Sequence, residues 1–167
     1  MNPPSLLLTA PFLSLALFTC EHDHDDHDHN PADMNLPTCD EDTRDEAYFA
    51  GISKTGDNGI TLAIMDSDNA PPAKGDNVWR VKITDATDMA LSGMTIKSGT
   101  WMPDHSHGSP VVPTITEEGN GEYTIDPVNL FMPGYWEVTL SAVDPGGAGP
   151  DDDMILDSVV FKFCIEG

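Results

Sequence analysis

The sequence predicts an all-β fold for the folded part of this chain. From about residue 39 onward, short stretches of alternating apolar and polar residues are separated by Gly, Pro, Asn and Asp. No stretch carries an apolar stripe of helical period and helix length. This pattern predicts an antiparallel immunoglobulin-like β-sandwich of about seven strands. A closed barrel is the alternative, because a hydrophobic pattern does not reveal whether a sheet closes.

The first 19 residues are predicted to be a signal peptide of the lipoprotein type. Residues 5–18 are apolar or small, and the run is too short to span a membrane. The following "LFTC", residues 17–20, is similar to a bacterial lipobox, which predicts that Cys20 is lipidated. We therefore expect an exported protein, anchored to a membrane in the periplasm or cell envelope.

Residues 20–38 are predicted to be a disordered tether rich in His and Asp. The segment has almost no large apolar side chains that could offset the entropy of ordering. Its four histidines alternate with aspartates, and imidazoles beside carboxylates attract transition-metal ions. The predicted metal-capturing residues of this tail are His22, His24, His27 and His29. The alternative is a solvated acidic spacer that binds metal only incidentally.

Four stretches of the predicted domain, residues 39–167, show the strand alternation most clearly: residues 60–65, 78–84, 134–142 and 159–165. In each of them, every second residue is predicted to face the core. These residues are Ile60, Leu62 and Ile64, then Trp79, Val81 and Ile83, then Trp136, Val138 and Leu140, and finally Val159, Phe161, Phe163 and Ile165. A hairpin is predicted in "TITEEGNGEYTI", residues 114–125, with its turn at Gly-Asn-Gly.

The three cysteines fit an exported lipoprotein. If Cys20 carries lipid, Cys39 and Cys164 remain, and in an oxidising compartment they can form a disulfide. Such a bond would tie the start of the domain to its last strand. For a loop of about 100 residues the chain-entropy model gives roughly 4.7 kcal/mol of stabilisation. Two unpaired buried thiols are the alternative.

The charge of the chain argues against binding to nucleic acid. There are 29 acidic and 7 basic residues, the formal net charge is −22, and the first basic residue is Arg44. A chain of this charge cannot neutralise a phosphate backbone. We also expect no enzymatic activity, because the sequence has neither a phosphate-binding loop nor a nucleophile elbow.

A candidate metal site lies in "GTWMPDHSHG", residues 99–108. In an extended backbone His105 and His107 would point to the same side and could share one ion. Met102, reoriented by Pro103 or a turn, and Met132 could add soft thioether ligands, which favour copper. Zinc is less favoured, because it more often takes a third His, a Cys or a carboxylate, for which Asp104 is available. The alternative is a structural loop whose imidazoles bond to backbone carbonyls.

Two segments carry a resemblance to a known family. "WMPDHSHG", residues 101–108, and "GEYTIDPVNLFMPGYWEVTL", residues 121–140, resemble the YtkA-like domain with its MPxHxHG and MPGxW motifs. The resemblance implies an immunoglobulin-like sandwich outside the cytoplasm, with copper handling as a recurrent suggestion. Asp104 and Ser106 stand where many relatives carry glycine or methionine.

The sequence thus predicts an exported, lipid-anchored protein that binds a transition metal. On this hypothesis copper is its cargo, it acts as carrier, buffer or sensor, and the tail histidines pass metal to the domain. The alternative function is an immunoglobulin-like interaction module of a surface or periplasmic lipoprotein, with a membrane protein as its partner.

Overall fold

The structure, a computed structural model, describes residues 38–146 and 154–167. The predicted signal peptide, the lipidation site Cys20 and the tail residues His22, His24, His27 and His29 lie outside the described residues. The described part contains nine strands and a single-turn 3-10 helix, Pro103–His105. The strands are β1 Ile52–Thr55, β2 Thr61–Ser67, β3 Gly75–Thr84, β4 Thr95–Met102, β5 His107–Gly108, β6 Thr114–Gly119, β7 Glu122–Leu130, β8 Gly134–Val143 and β9 Ile155–Ile165.

The nine strands form two antiparallel sheets packed face to face. One sheet has the order β1-β2-β3-β7-β6 and the other the order β5-β4-β8-β9. The predicted all-β, immunoglobulin-like sandwich is confirmed, and the closed barrel is wrong because the sheets are separate. The strand count exceeds the predicted seven because β1 has four residues and β5 only two, too few to show alternation.

The core lies between the sheets and consists of the residues predicted from the alternation. Trp79 and Trp136 are both fully buried, one from each sheet. All the residues predicted to face inward on the four stretches are buried. Arg80 on β3 lies on the opposite, exposed face. The predicted hairpin is also present as β6 and β7, which are joined through Asn120 and Gly121.

The segment before β1 is fastened along the edge of β9. The predicted disulfide between Cys39 and Cys164 is present, with the two Cα atoms 5.4 Å apart and 125 residues between them in sequence. The backbone N–H of Glu46 donates to the carbonyl oxygen of Lys162 at 2.9 Å, and the N–H of Lys162 donates to the Glu46 carboxylate at 2.6 Å. This segment is therefore held at two points of the last strand. In the described part of the chain, no helix is long and apolar enough to cross a membrane.

Candidate metal site

The candidate site lies at one end of the sandwich, where β4 ends and the chain reverses into β5. Pro103 starts the 3-10 turn, and Ser106 adopts a left-handed conformation with φ of 53°, its N–H donating to the carbonyl oxygen of Pro103 at 3.2 Å. The backbone between His105 and His107 is therefore a turn. The extended geometry expected for this segment is wrong, because the chain forms a 3-10 turn that begins at Pro103 and ends at the left-handed Ser106.

The turn nevertheless brings the two imidazoles together. The ring centroids of His105 and His107 are 5.7 Å apart, with 46° between the ring planes. A metal binds an imidazole nitrogen at about 2.0–2.1 Å, and the ring centre lies roughly 1.1 Å beyond that nitrogen, so two rings sharing one ion have centres about 5–6 Å apart. The observed separation falls in this range.

Neither imidazole is hydrogen-bonded to another described residue. His107 is instead held by aromatic packing, with its ring stacked on Phe131 at 5.5 Å and edge-on to Trp136 at 6.5 Å. Both rings are half-buried. The structural-loop alternative requires the imidazoles to bond to backbone carbonyls, and no such hydrogen bond is present among the described residues. The ring nitrogens therefore have no competing hydrogen bond to a described residue.

The β4–β5 pairing needs a glycine directly after His107. A Cβ atom on Gly108 would lie 2.2 Å from the carbonyl oxygen of Thr100, so a larger residue would push β5 away from β4. The pairing sets Met102 opposite His107. Directly paired residues present their side chains on the same face of a sheet, so the thioether and the imidazole share a face.

Met102 is buried, with 1% of its surface exposed. It nevertheless lines, together with Asp104 and His105, an open cleft of about 250 Å³. Its methyl group lies over Gly134, where a Cβ atom would come within 2.6 Å of it and where φ is +118°. A glycine at the start of β8 thus makes room for the thioether beside the histidines.

Met132 lies in the turn between β7 and β8. It is partly buried and packs against the core, and its carbonyl oxygen accepts a hydrogen bond from Trp136 Nε1 at 2.9 Å. Its neighbour in sequence, Phe131, is the ring stacked on His107. The structure therefore places Met132 on the same end of the sandwich, next to the residues that support His107.

Asp104 is paired with a residue that no sequence motif connects with the site. Arg44 donates to both carboxylate oxygens of Asp104 at 2.7 Å, and it also bonds to the carboxylate of Asp42 at 2.6 Å. Its guanidinium lies over the ring of Tyr135, 4.2 Å from the centroid. The only sequence signal for Arg44 was its rarity, as the first of seven basic residues in a strongly acidic chain.

This ion cluster shifts the proton affinities of its members. Hydrogen bonds from Arg44 lower the pKa of Asp104 and of Asp42 below their usual values, and the two carboxylates raise the pKa of Arg44. Burial, followed by the hydrogen bond to Glu137, raises the pKa of Tyr135 to about 12. Asp104 is therefore ionised at neutral pH, with both oxygens occupied by the guanidinium.

The donors around the cleft do not form a set built from His, Cys, Asp and Glu alone. Across residues 38–146 and 154–167, no three such side chains are gathered closely enough to hold a metal ion. Met102, opposite His107 in the β4–β5 pairing, is the candidate for a ligand of another type.

The fold and this end of the sandwich define an immunoglobulin-like β-sandwich with a His/Met loop. The chain belongs to the YtkA-like family, since the family model matches residues 54–141, more than half of its 167 residues. The match includes β2 to β7, most of β8 and the whole MPDHSHG loop. The resemblance inferred from the two motif segments is thus confirmed at the level of the family.

The chain is also similar to several solved structures. A copper-bound variant of FetP from uropathogenic Escherichia coli is 17% identical, with coverage of 72% of this chain and 97% of that one and a TM-score of 0.42. A copper-bound variant of Campylobacter jejuni P19 is 14% identical, with coverage of 71% of this chain and 96% of that one and a TM-score of 0.45. The Lin-41 filamin domain is 16% identical, with coverage of 68% of this chain and 98% of that one and a TM-score of 0.41. Similarity at this level assigns neither a ligand nor a partner. No curated protein matches the sequence.

Proposed function

We propose that this protein binds one transition-metal ion, copper, as a carrier, buffer or sensor outside the cytoplasm, without enzymatic activity. His105 and His107 are the primary ligands, Met102 is the soft ligand, and Met132 is the candidate fourth. The observation that carries the proposal is the pair of half-buried imidazoles, 5.7 Å apart and without a hydrogen bond to any described residue. In the structural-loop alternative these imidazoles would instead be hydrogen-bonded to backbone carbonyls.

The donor set favours copper over zinc. A thioether is a soft ligand that selects Cu(I), and imidazole accepts both oxidation states of copper. Zinc sites usually add a third His, a Cys or a carboxylate. The nearest carboxylate in sequence, Asp104, is already paired with Arg44 through both oxygens. Met102 supplies the remaining donor, and its thioether suits copper.

Two further features support a role in the cell envelope. The Cys39–Cys164 disulfide is of a kind that persists in oxidising compartments. The formal net charge of −22 attracts cations to the surface. The disulfide and the lipobox-like segment at Cys20 support an exported protein that is anchored to a membrane through lipid, and the charge supports cation binding.

The test is a titration of the full chain in which the four tail histidines are replaced by alanine, so that only the domain site is measured. We expect one equivalent of anaerobic Cu(I) to bind with a Kd below about 1 μM. Binding is lost in His105→Ala/His107→Ala made on the same background. Met102→Leu weakens Cu(I) but leaves Zn(II) binding nearly unchanged. Met89→Leu is the matched control, because Met89 is 65% exposed and is not among the residues lining the cleft.

A folded chain that binds no stoichiometric copper would overturn this proposal. The MPDHSHG loop would then be structural, and the interaction module with a membrane-protein partner would become the better hypothesis. Equal loss of Cu(I) affinity in Met102→Leu and Met89→Leu would contradict the assigned role of Met102 while leaving the two histidines in place.

A further inference from the structure

A carboxylate stands directly beside the candidate ligands but is held by another group. Asp104 precedes His105 in the 3-10 turn and lines the same cleft as Met102 and His105. In its observed position Asp104 does not form a three-residue metal site with His105 and His107. The cleft thus contains a hard oxygen donor next to the soft thioether, and the identity of the bound metal depends on which of them coordinates.

Arg44 holds this carboxylate in its observed position. Its two terminal nitrogens each donate to one oxygen of Asp104 at 2.7 Å, a bidentate pairing that occupies both oxygens. The side chain of Asp104 is 18% exposed, so the pairing is partly shielded from water. Turning Asp104 toward a metal would require both hydrogen bonds to break.

Arg44 is itself fixed on several sides. Its Nε and one terminal nitrogen bond to Asp42, whose side chain is 2% exposed, and its guanidinium lies against the ring of Tyr135. The segment carrying Arg44 is fastened to β9 before Arg44 by the Cys39–Cys164 disulfide. After Arg44 it is fastened by two Glu46–Lys162 hydrogen bonds, one between backbone groups and one from the Lys162 N–H to the Glu46 carboxylate. The guanidinium is therefore preorganised and does not depend on Asp104 for its orientation.

From this arrangement we propose that Arg44 is a specificity-determining residue, which positions Asp104 away from the metal and so keeps the site soft. The inference rests on the proposed metal-binding function of His105 and His107. With Arg44 in place, the donors are two imidazoles and a thioether, a set that suits Cu(I). Without Arg44, Asp104 completes a His₂Asp set of the kind found in zinc sites.

The experiment compares zinc and copper affinities in variants of the full chain with alanine at the four tail histidines. The central variant is Asp42→Asn/Arg44→Met, which removes the guanidinium without leaving the buried Asp42 carboxylate unpaired. We expect it to bind Zn(II) at least about tenfold more tightly, the lower end of effects seen when outer-shell partners change. Its Cu(II) electron paramagnetic resonance spectrum should also gain an oxygen ligand.

Two further variants separate this role from a general loosening of the loop. Adding Asp104→Asn to the central variant should return both the zinc affinity and the Cu(II) spectrum to the starting values. Asp104→Asn alone, with Arg44 intact, should change neither. Arg44→Lys, which keeps the charge but cannot pair with both oxygens at once, should give an intermediate gain in zinc affinity. It also keeps the test valid if the central variant does not fold.

The outcomes distinguish this inference from the proposed function. Unchanged zinc affinity in both the folded central variant and Arg44→Lys would overturn the role of Arg44, even if the chain binds copper. A loss of metal affinity in Asp104→Asn alone would also overturn it, because Asp104 would then already be a ligand. A chain that binds no Cu(I) while gaining zinc in the Arg44 variants would contradict the copper proposal alone.

Discussion

The interior of the sandwich differs in how its side chains are held from the end that carries Met102, His105 and His107, here called the His/Met end. In the interior, apolar side chains from both sheets, such as Leu62, Val81 and Phe161, are fully buried. At the other region, the imidazoles of His105 and His107 are half-buried and have no hydrogen bond to a described residue. The first region is stabilised by burial of apolar surface, whereas the second leaves imidazole nitrogens that no described residue bonds.

This difference predicts that stability and the proposed metal binding are separated in space. Each large buried side chain contributes about 1.5–3 kcal/mol by leaving water, so the interior carries most of the folding free energy. The turn of Pro103–His105 instead follows from the β4–β5 pairing and the left-handed Ser106, outside this apolar interior. We therefore expect the proposed ligands to be replaceable without unfolding the sandwich. Comparable changes in the interior should be strongly destabilising.

The largest expected effect is a loss of stability caused by a substitution in the interior. Phe161→Ala removes a fully buried ring, which should lower the free energy of unfolding by about 3–5 kcal/mol in a urea titration. His105→Ala, the matched change at the His/Met end, should alter it by no more than about 0.5 kcal/mol. A large loss of stability in His105→Ala would contradict the separation and would show that the imidazole supports the fold.

The interior could be predicted from the sequence because strand alternation is a local signal. Trp79, Val81 and Ile83 are two residues apart, and their burial follows from the pleat of one strand. The disulfide could be predicted from cysteine counting, because only Cys39 and Cys164 remain once Cys20 is assigned to lipid. In both cases the evidence lies in residue type and spacing.

The His/Met end could be predicted only in part. The proximity of His105 and His107 was expected, but for an extended strand rather than the observed turn, because φ at Ser106 cannot be read from one sequence. The pairing of Arg44 with Asp104 joins residues 60 positions apart and depends on where the disulfide-linked segment runs. No local pattern encodes a contact of this kind.

An intermediate effect is expected where the two regions meet. Gly134 has φ of +118°, and a Cβ atom there would come 2.6 Å from the methyl group of Met102. Gly134→Ala should cost about 1–3 kcal/mol, mainly from the strained backbone, because the flexible end of Met102 can move aside. That movement should weaken Cu(I) binding more than Zn(II) binding, since it displaces the thioether.

Gly99→Ala is the control for this change. Gly99 lies on β4 of the same sheet, and a Cβ atom there meets no atom within 4 Å. Its stability should stay within about 0.5 kcal/mol of the starting chain, with metal affinities unchanged. If Gly134→Ala leaves the Cu(I) affinity intact despite its cost in stability, the thioether of Met102 does not depend on its seat over Gly134.

The smallest expected effect concerns acid stability near the site. Hydrogen bonds from Arg44 lower the pKa of Asp42 in the folded chain below its ordinary value of 3.8. A carboxylate with a lowered folded pKa adds stability above its unfolded pKa, and that stability is lost as pH falls through the folded pKa. Arg44 is 39% exposed, so solvent screening keeps the contribution at about 1 kcal/mol or less.

Asp42→Asn measures this contribution directly. The variant should be less stable than the starting chain near neutral pH, and the difference should shrink once the pH falls below 3.8, as followed by urea titrations across the acid range. Asp66→Asn is the control, because the Asp66–Arg80 pair is mostly exposed and should show a smaller difference. A gap between Asp42→Asn and the starting chain that does not change with pH would mean that Asp42 acts through packing. The preorganisation of Arg44 would then rest on Tyr135 and the disulfide-linked segment instead of on charge.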